Sequence, residues 1–121
     1  MKGSHRRWGF LQQYTQEERI GLVRRMKRRL PGHVPLVLAR ASQCRVGTHQ
    51  ELRVSAPGHL RLSQLHCALK ARVQVPPRHS LIYFIGDHLA PLTCTLAHLY
   101  HHHAHQDHFL YITFCQENAQ G

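Results

Sequence analysis

The densest concentration of chemically active side chains in this 121-residue chain is a run of histidines near its C-terminal end. Within eleven positions stand His98, His101, His102, His103, His105 and His108. Neutral imidazole binds zinc, copper and nickel, and histidines four residues apart can share a helix face. No Cys or Glu stands beside them at a suitable spacing. A metal-binding module stays open as an alternative, but the pattern favours a solvated helix and loop, with no metal ion and no cofactor.

The cysteines offer a second possible chemistry, nucleophilic catalysis. They stand far apart, with no CxxC pair, so free thiols are expected at Cys44, Cys67, Cys94 and Cys115. Apolar neighbours around Cys67 and Cys115 indicate packing in the core rather than reaction with substrate. A glycine-rich phosphate loop and paired acids are also missing from the sequence. We therefore predict a protein that is not an enzyme.

The charge of the chain is strongly positive. Its 16 Lys and Arg oppose 6 Asp and Glu, giving a net charge of +10. Such a balance predicts attraction to anionic lipid, nucleic acid or acidic peptides, without choosing among them. No motif that reads RNA or DNA accompanies the Arg-rich residues 24–29, so no specific nucleic acid is predicted. A basic nucleic-acid-binding module remains the alternative.

Length and hydrophobicity fit one globular domain. Hydrophobic residues make up 42% of the chain, too many for a disordered protein. No apolar run reaches the roughly 18 residues of a membrane span, and no signal-peptide pattern opens the sequence. We expect a cytoplasmic protein.

The elements that must position these side chains begin with a helix. Residues 1–14 are expected to form a loose, flexible arm. Thr15 and Glu18 then have the spacing of a capping box, which predicts a helix start. Apolar residues recur at helical spacing up to Leu30, and Pro31 ends the helix because proline disfavours the helical conformation in the residue before it.

The rest of the chain alternates strands and helices. Short apolar runs predict strands over residues 34–39, 51–56, 81–85 and 108–115. Apolar stripes predict a helix through Leu62, Leu65, Leu69 and Val73, and a brief one through Leu96, Leu99 and Tyr100. This order describes an α+β, β-grasp domain with an additional N-terminal helix. We assign residues 1–14 to the arm, 15–115 to the domain and 116–121 to a C-terminal tail.

Four stretches of the sequence, in order, resemble one known family. They are residues 30–37 (LPGHVPLV, similar to FPxxVPVI), 69–73 (LKARV, similar to IRKRI), 99–100 with 107–112 (LY and DHFLYI, similar to LY…DxFLYIAY), and Glu117 with Gly121 (E…G). The chain thus resembles the autophagy-related ubiquitin-like modifiers, the family of GABARAP and microtubule-associated protein light chain 3. The resemblance implies a ubiquitin-like fold.

It also implies a function for the C-terminal glycine. Family members are activated there by an activating enzyme, passed to a conjugating enzyme and joined to phosphatidylethanolamine on autophagosomal membrane. A cysteine protease processes and delipidates them. By this resemblance Gly121 is the conjugation residue, and residues 116–121 are its tail. Gln120 stands where the family has an aromatic residue, which we expect to weaken recognition by the protease more than conjugation.

The resemblance further implies a docking groove for short linear motifs of receptors and adaptors. Such peptides add a strand to the exposed edge of the second strand and place an aromatic and an aliphatic side chain in two pockets. The aromatic pocket falls on Leu22, Met26, Pro35, Val37, Arg53, Ser55 and Phe109. The aliphatic pocket falls on Val54, Ala56, Pro57, Leu60, Leu65 and Ala68.

Several groove positions depart from the family pattern. Ser55 replaces an apolar residue, and Val54, Leu65 and Ala68 replace larger ones. Glu51 stands where a lysine is usual, which weakens attraction to acidic residues beside a motif. We predict a groove that is present but binds ordinary motifs weakly.

Overall fold

The computed structural model describes residues 6–117. In chain order its elements are helices α1 (Gly9–Gln13) and α2 (Gln16–Arg29), strands β1 (His33–Arg40) and β2 (Leu52–Pro57), helix α3 (Leu62–Leu69), strands β3 (Leu81–Ile85) and β4 (His88–Ala90), helix α4 (Leu96–His103) and strand β5 (Leu110–Gln116). Within residues 6–117, none of these helices has the length and apolar character needed to cross a bilayer.

Helix α2 begins and ends where its sequence predicts. The Thr15 hydroxyl accepts a hydrogen bond from the Glu18 N–H at 3.1 Å, and the Glu18 carboxylate accepts one from the Thr15 N–H at 2.8 Å. The predicted capping box is therefore confirmed, and caps of this kind contribute about 1 kcal/mol. At the other end Leu30 has left the helical conformation, with φ −133° and ψ 73°, directly before Pro31.

The strands form one mixed sheet in the order β2-β1-β5-β3-β4. Strand β1 pairs antiparallel with β2 and parallel with β5, and β5 pairs antiparallel with β3. A parallel pair needs a long crossover connection, which the chain between β1 and β5 supplies together with helices α3 and α4. This arrangement confirms the predicted α+β, ubiquitin-like β-grasp fold with N-terminal helices.

Alternating side chains of β1 build an apolar layer on each face of the sheet. Val34, Leu36 and Leu38 belong to the main core, which they share with α3 and α4. Val37 points the other way, into a smaller cluster with Val23 of α2. Leu36 and Val37 are 1% and 0% exposed, so this strand is buried on both faces.

The expected loose arm is wrong for residues 9–13, which form helix α1. Phe10 is buried in the smaller cluster, with Trp8 and Tyr14 partly buried beside it. The physical reason is that the sheet offers these aromatic side chains an apolar surface, and full burial of one Phe stabilises by about 2 kcal/mol. The proposed divisions of the chain after residues 14 and 115 stay predictions.

Three further elements differ from expectation. Helix α3 ends at Leu69, before Val73, the last residue of the predicted apolar stripe. Strand β4, only three residues long, was not predicted. Strand β5 begins at Leu110 rather than at residue 108, because His108 adopts a positive φ of 71° and its N–H bonds to the His105 carbonyl in a turn. The turn places Phe109 directly before the strand.

Candidate functional site

Strand β2 lies at one edge of the sheet, with its only strand neighbour among residues 6–117 on the β1 side. Across that pair Ser55 lies opposite Pro35, and Arg53 lies opposite Val37. Because side chains alternate along a strand, these four share the face that carries α1 and α2, while Val54 points to the opposite face. The two predicted pockets therefore lie on opposite faces of one open edge.

The aromatic-pocket residues converge in part. Val37 and Phe109 are buried together in the smaller cluster, and Leu22 of α2 packs against it. Pro35 is also buried. Met26 is half-buried one helical turn after Leu22, and together they line a cavity of about 500 Å³ along α2.

Helix α1 covers part of this pocket. The ring of Phe10 packs edge-on against the ring of Phe109, with 5.0 Å between centroids. The guanidinium of Arg53 lies 5.0 Å from the Phe10 ring centroid and 5.6 Å from that of Tyr14, in cation–π contact with both. The Phe10 ring therefore contacts Phe109 and Arg53, two residues that the resemblance assigns to the pocket for the aromatic residue of a motif.

Glu51 holds α1 in that position, a role that sequence reasoning missed. Its carboxylate accepts hydrogen bonds from the backbone N–H groups of Gly9, at 2.6 Å, and Phe10, at 3.0 Å. It also pairs with the Arg6 guanidinium at 3.3 Å. The acid that replaces the usual lysine is therefore neutralised within the chain. In the sequence, the close spacing of Trp8, Phe10 and Tyr14 was the feature that could have indicated packing of this segment against the domain.

The aliphatic-pocket residues divide by exposure. Ala56 and Leu65 are buried, Val54, Pro57 and Leu60 are half-buried, and Ala68 is exposed. The buried pair belongs to the main core, and Val54 and Leu60 pack against that core. The surface left for a ligand on this face is therefore formed by Val54, Pro57, Leu60 and Ala68.

A buried ion pair fixes Phe109. Asp107 is 0% exposed and bonds the guanidinium of Arg19 from α2 and the hydroxyl of Tyr111 from β5. Its other oxygen accepts the Phe109 N–H at 2.8 Å. Burial, followed by the hydrogen bond to Asp107, raises the pKa of the Tyr111 phenol above its usual range, so it stays protonated as a donor.

The C-terminal tail is described only at its start. Gln116 ends β5 opposite Leu81, and the Glu117 N–H donates to the Ser80 carbonyl at 2.7 Å. The predicted conjugation residue Gly121 lies outside the described residues. The structure therefore describes the first two residues of the predicted tail, Gln116 and Glu117, beside the start of β3.

The histidine run lies on α4 and the turn after it. The rings of His98 and His102 lie in tilted contact with centroids 4.4 Å apart, and the ring of His101 meets that of His102 edge-on at 5.1 Å between centroids. Within the described part of the chain, no group of three or more His, Cys, Asp or Glu side chains is arranged to hold a metal ion.

The cysteines are free thiols throughout the described residues. Cys44 and Cys115 are buried, and burial, then the neighbouring Cys44, raises the pKa of Cys115 to about 11. The expectation that Cys67 packs in the core is wrong, because it is exposed on the outer side of α3. Its apolar neighbours Leu65 and Leu69 face the core instead.

Comparisons with known proteins agree with this architecture. A family described as "Autophagy protein Atg8 ubiquitin like" matches residues 18–121. The crystal structure of Trypanosoma brucei ATG8 superimposes with a TM-score of 0.83, covering 96% of this chain and 100% of that one. The two sequences are 22% identical, so this structural likeness bears on the fold alone.

Proposed function

We propose a function for this chain from one premise: the chain belongs to the Atg8 family of ubiquitin-like autophagy proteins. Proteins of this family are ubiquitin-like modifiers rather than enzymes. For this chain we propose conjugation of Gly121 to phosphatidylethanolamine on autophagosomal membrane, and docking of short hydrophobic motifs from receptors and adaptors along β2.

The observation that carries the docking proposal is that β2 is an edge strand, with predicted pocket residues on both faces of the sheet beside it. An extended peptide can pair with the free backbone groups of an edge strand, and side-chain pockets on either face then select its residues. Arg53 and Ser55 lie on one face of that edge and Val54 on the other. An aromatic–x–x–aliphatic peptide matches this arrangement because alternate residues of a strand point to opposite faces.

The conjugation proposal draws support from how the chain leaves the domain. Strand β5 ends at Gln116, and Gly121 follows five positions later in the sequence. A glycine lacks a Cβ and therefore fits a narrow enzyme cleft. Activating and conjugating enzymes would form the bond, and a cysteine protease would cut it. The two acyl chains of phosphatidylethanolamine give stable attachment where one chain gives marginal binding.

Reconstitution tests conjugation directly. The wild-type chain is incubated with activating and conjugating enzymes, ATP and liposomes that contain phosphatidylethanolamine, and the lipidated form is separated by electrophoresis. We expect a lipidated band that disappears with Gly121→Ala and with liposomes of phosphatidylcholine alone. A wild-type chain that stays unmodified while another family member is lipidated would reject this part of the proposal.

Calorimetric titration with an aromatic–x–x–aliphatic peptide tests docking. The matched variants are Ala68→Arg, inside the predicted aliphatic pocket, and Cys67→Arg, exposed on the same helix outside it. We expect Ala68→Arg to weaken binding at least about tenfold, because a charged side chain would fill an apolar pocket, and Cys67→Arg to leave it unchanged. Equal affinities for both variants would place the peptide elsewhere.

A further inference from the structure

A concave surface with a lining different from that of both predicted pockets lies between the C-terminal end of α2 and helix α4. We call it the α2–α4 cleft. It has a volume of about 840 Å³, and its walls include Lys27, His33, Val34, Tyr100, His101 and His108. None of its lining residues belongs to either predicted pocket, so variants in the cleft leave the side chains of the proposed docking groove in place.

The cleft is positively charged without an internal counter-charge. The chain has six acidic residues, and none of them lines it. Glu18 is used in the α2 cap, Glu51 holds α1, and Asp107 is buried with Arg19. Within residues 6–117 no carboxylate forms a salt bridge with Lys27. A ligand that enters the cleft therefore meets a Lys27 ammonium that no described carboxylate neutralises.

Polar side chains line the cleft. The Lys27 ammonium lies 4.8 Å from the centroid of the Tyr100 ring, in cation–π contact with it. The Tyr100 hydroxyl donates to the His108 carbonyl at 2.7 Å, so the ring is fixed as a wall. The Nδ1 atom of His33 is buried and has no hydrogen-bond partner. An unpaired buried polar atom is costly unless a partner reaches it.

The remaining lining is apolar. Val34, Ala97 and Ala104 contribute short aliphatic side chains beside Lys27 and the histidines. A peptide segment can place one aliphatic side chain against them while its carboxylates meet Lys27 and the histidines. A flat membrane surface would contact only the rim of a concave site.

We propose that the α2–α4 cleft is a docking site for an acidic peptide segment that carries an aliphatic residue among its carboxylates. Carboxylates accept hydrogen bonds from the Lys27 ammonium and from imidazole N–H groups, and charge-assisted bonds of this kind are stronger than neutral ones. The partner is recognised by charge and by one apolar contact, without pairing to a strand.

The probe for this proposal is the acetylated pentapeptide Glu-Glu-Leu-Glu-Glu, titrated into the ¹⁵N-labelled full chain at 100 mM salt. We expect amide shifts at Gly32, His33, Ala104 and His108, around the cleft. The double variant Lys27→Gln/His101→Gln should weaken binding about tenfold, because two charged or polar contacts are lost. Its control is Arg72→Gln/His102→Gln, which likewise removes one basic charge and one imidazole, at exposed positions outside the cleft.

Four outcomes would overturn the proposal. They are no binding at millimolar peptide, equal weakening by the cleft variant and its control, unchanged binding of a Gln-Gln-Leu-Gln-Gln peptide, and shifts confined to β2. A parallel titration with phosphatidylserine vesicles tests whether the cleft binds anionic lipid instead of peptide. If the cleft variant impairs vesicle binding but not peptide binding, the site serves anionic lipid and the peptide proposal is wrong.

Discussion

The carboxylate of Glu51 accepts a hydrogen bond from the backbone N–H of Phe10 at 3.0 Å, although the two residues are 41 positions apart. Glu51 lies directly before the edge strand β2, and Phe10 lies in the short helix α1. One side chain thereby ties the N-terminal segment to the margin of the proposed docking groove. The same bond keeps the Phe10 ring against Phe109.

Replacing this acid should release α1 without unfolding the domain. Glu51→Gln removes the negative charge that pairs with Arg6 and weakens the bonds from Gly9 and Phe10. We expect about 1 kcal/mol less unfolding free energy and roughly tenfold faster hydrogen exchange at those two amides. Urea unfolding and exchange mass spectrometry measure the two effects. The control Glu117→Gln changes the same charge at an exposed position and should alter stability by less than about 0.5 kcal/mol.

The elements that local chemistry specifies were predicted well. Thr15 and Glu18 fix the start of α2, Pro31 fixes its end, and the short apolar run over residues 34–39 favours a buried strand, as the structure confirms. Helix α1 has five residues and no cap or period of its own. It forms because Phe10 and Glu51 meet partners far away in sequence, which no local pattern reveals.

The candidate site divides in the same way. Period-2 alternation places Arg53 and Ser55 on one face of β2 and Val54 on the other, so the sequence defines which residues share a face. It does not define what covers that face. The contact of Arg53 with the Phe10 ring depends on the tertiary position of α1.

Removing the carboxylate of Asp107 should strongly destabilise the fold. Asp107→Asn would leave the Arg19 guanidinium, which is 7% exposed, without its charged partner. Breaking a buried pair on one side costs about 3–5 kcal/mol, and the amide also binds the Phe109 N–H less well. Thermal melting followed by circular dichroism measures the loss. The exposed acid Glu17, changed to Gln, is the control, and a loss below about 1 kcal/mol for Asp107→Asn would contradict a structural role for the pair.

The thiols should react in an order set by exposure and pKa. Cys67 is exposed, whereas Cys115 is buried and its pKa is raised to about 11, chiefly by burial. Because the thiolate is the reactive form, we expect Cys67 to be labelled by a maleimide at pH 8 at least about 100-fold faster than Cys115. Peptide mapping after timed quenching identifies the labelled residue. Cys67→Ser should remove the fast phase, and a fast phase that persists at Cys115 would show that the β5 region opens.

Acid should destabilise the fold through His103. Its pKa is lowered, first by burial and then by the nearby His88, His102 and His98. Below about pH 6.5 the unfolded chain therefore binds more protons at this residue than the folded chain does, so unfolding free energy falls as pH decreases. Urea unfolding at pH 7.5 and pH 5.5 should show a smaller acid loss for His103→Gln than for wild type. His59→Gln, at an exposed turn, should retain the wild-type loss.

The weak-groove prediction depends on Ser55, which is half-buried opposite Pro35 on the face that carries α1 and α2. Ser55→Leu adds apolar surface beside the aromatic pocket. At about 25 cal/mol per Å² of buried apolar surface, a gain of about 1 kcal/mol is reasonable, which is roughly fivefold in affinity. We expect calorimetry with an aromatic–x–x–aliphatic peptide to show this gain.

Two controls make that result specific to the groove. Ser80→Leu makes the same exchange at an exposed position before β3 and should leave affinity unchanged. A peptide with both anchor residues changed to alanine should not bind Ser55→Leu. If it did bind, the added leucine would be raising non-specific apolar binding rather than affinity for the anchor residues. If the wild-type chain already binds the anchored peptide with sub-micromolar affinity, the groove is not weakened, and Ser55 does not limit docking.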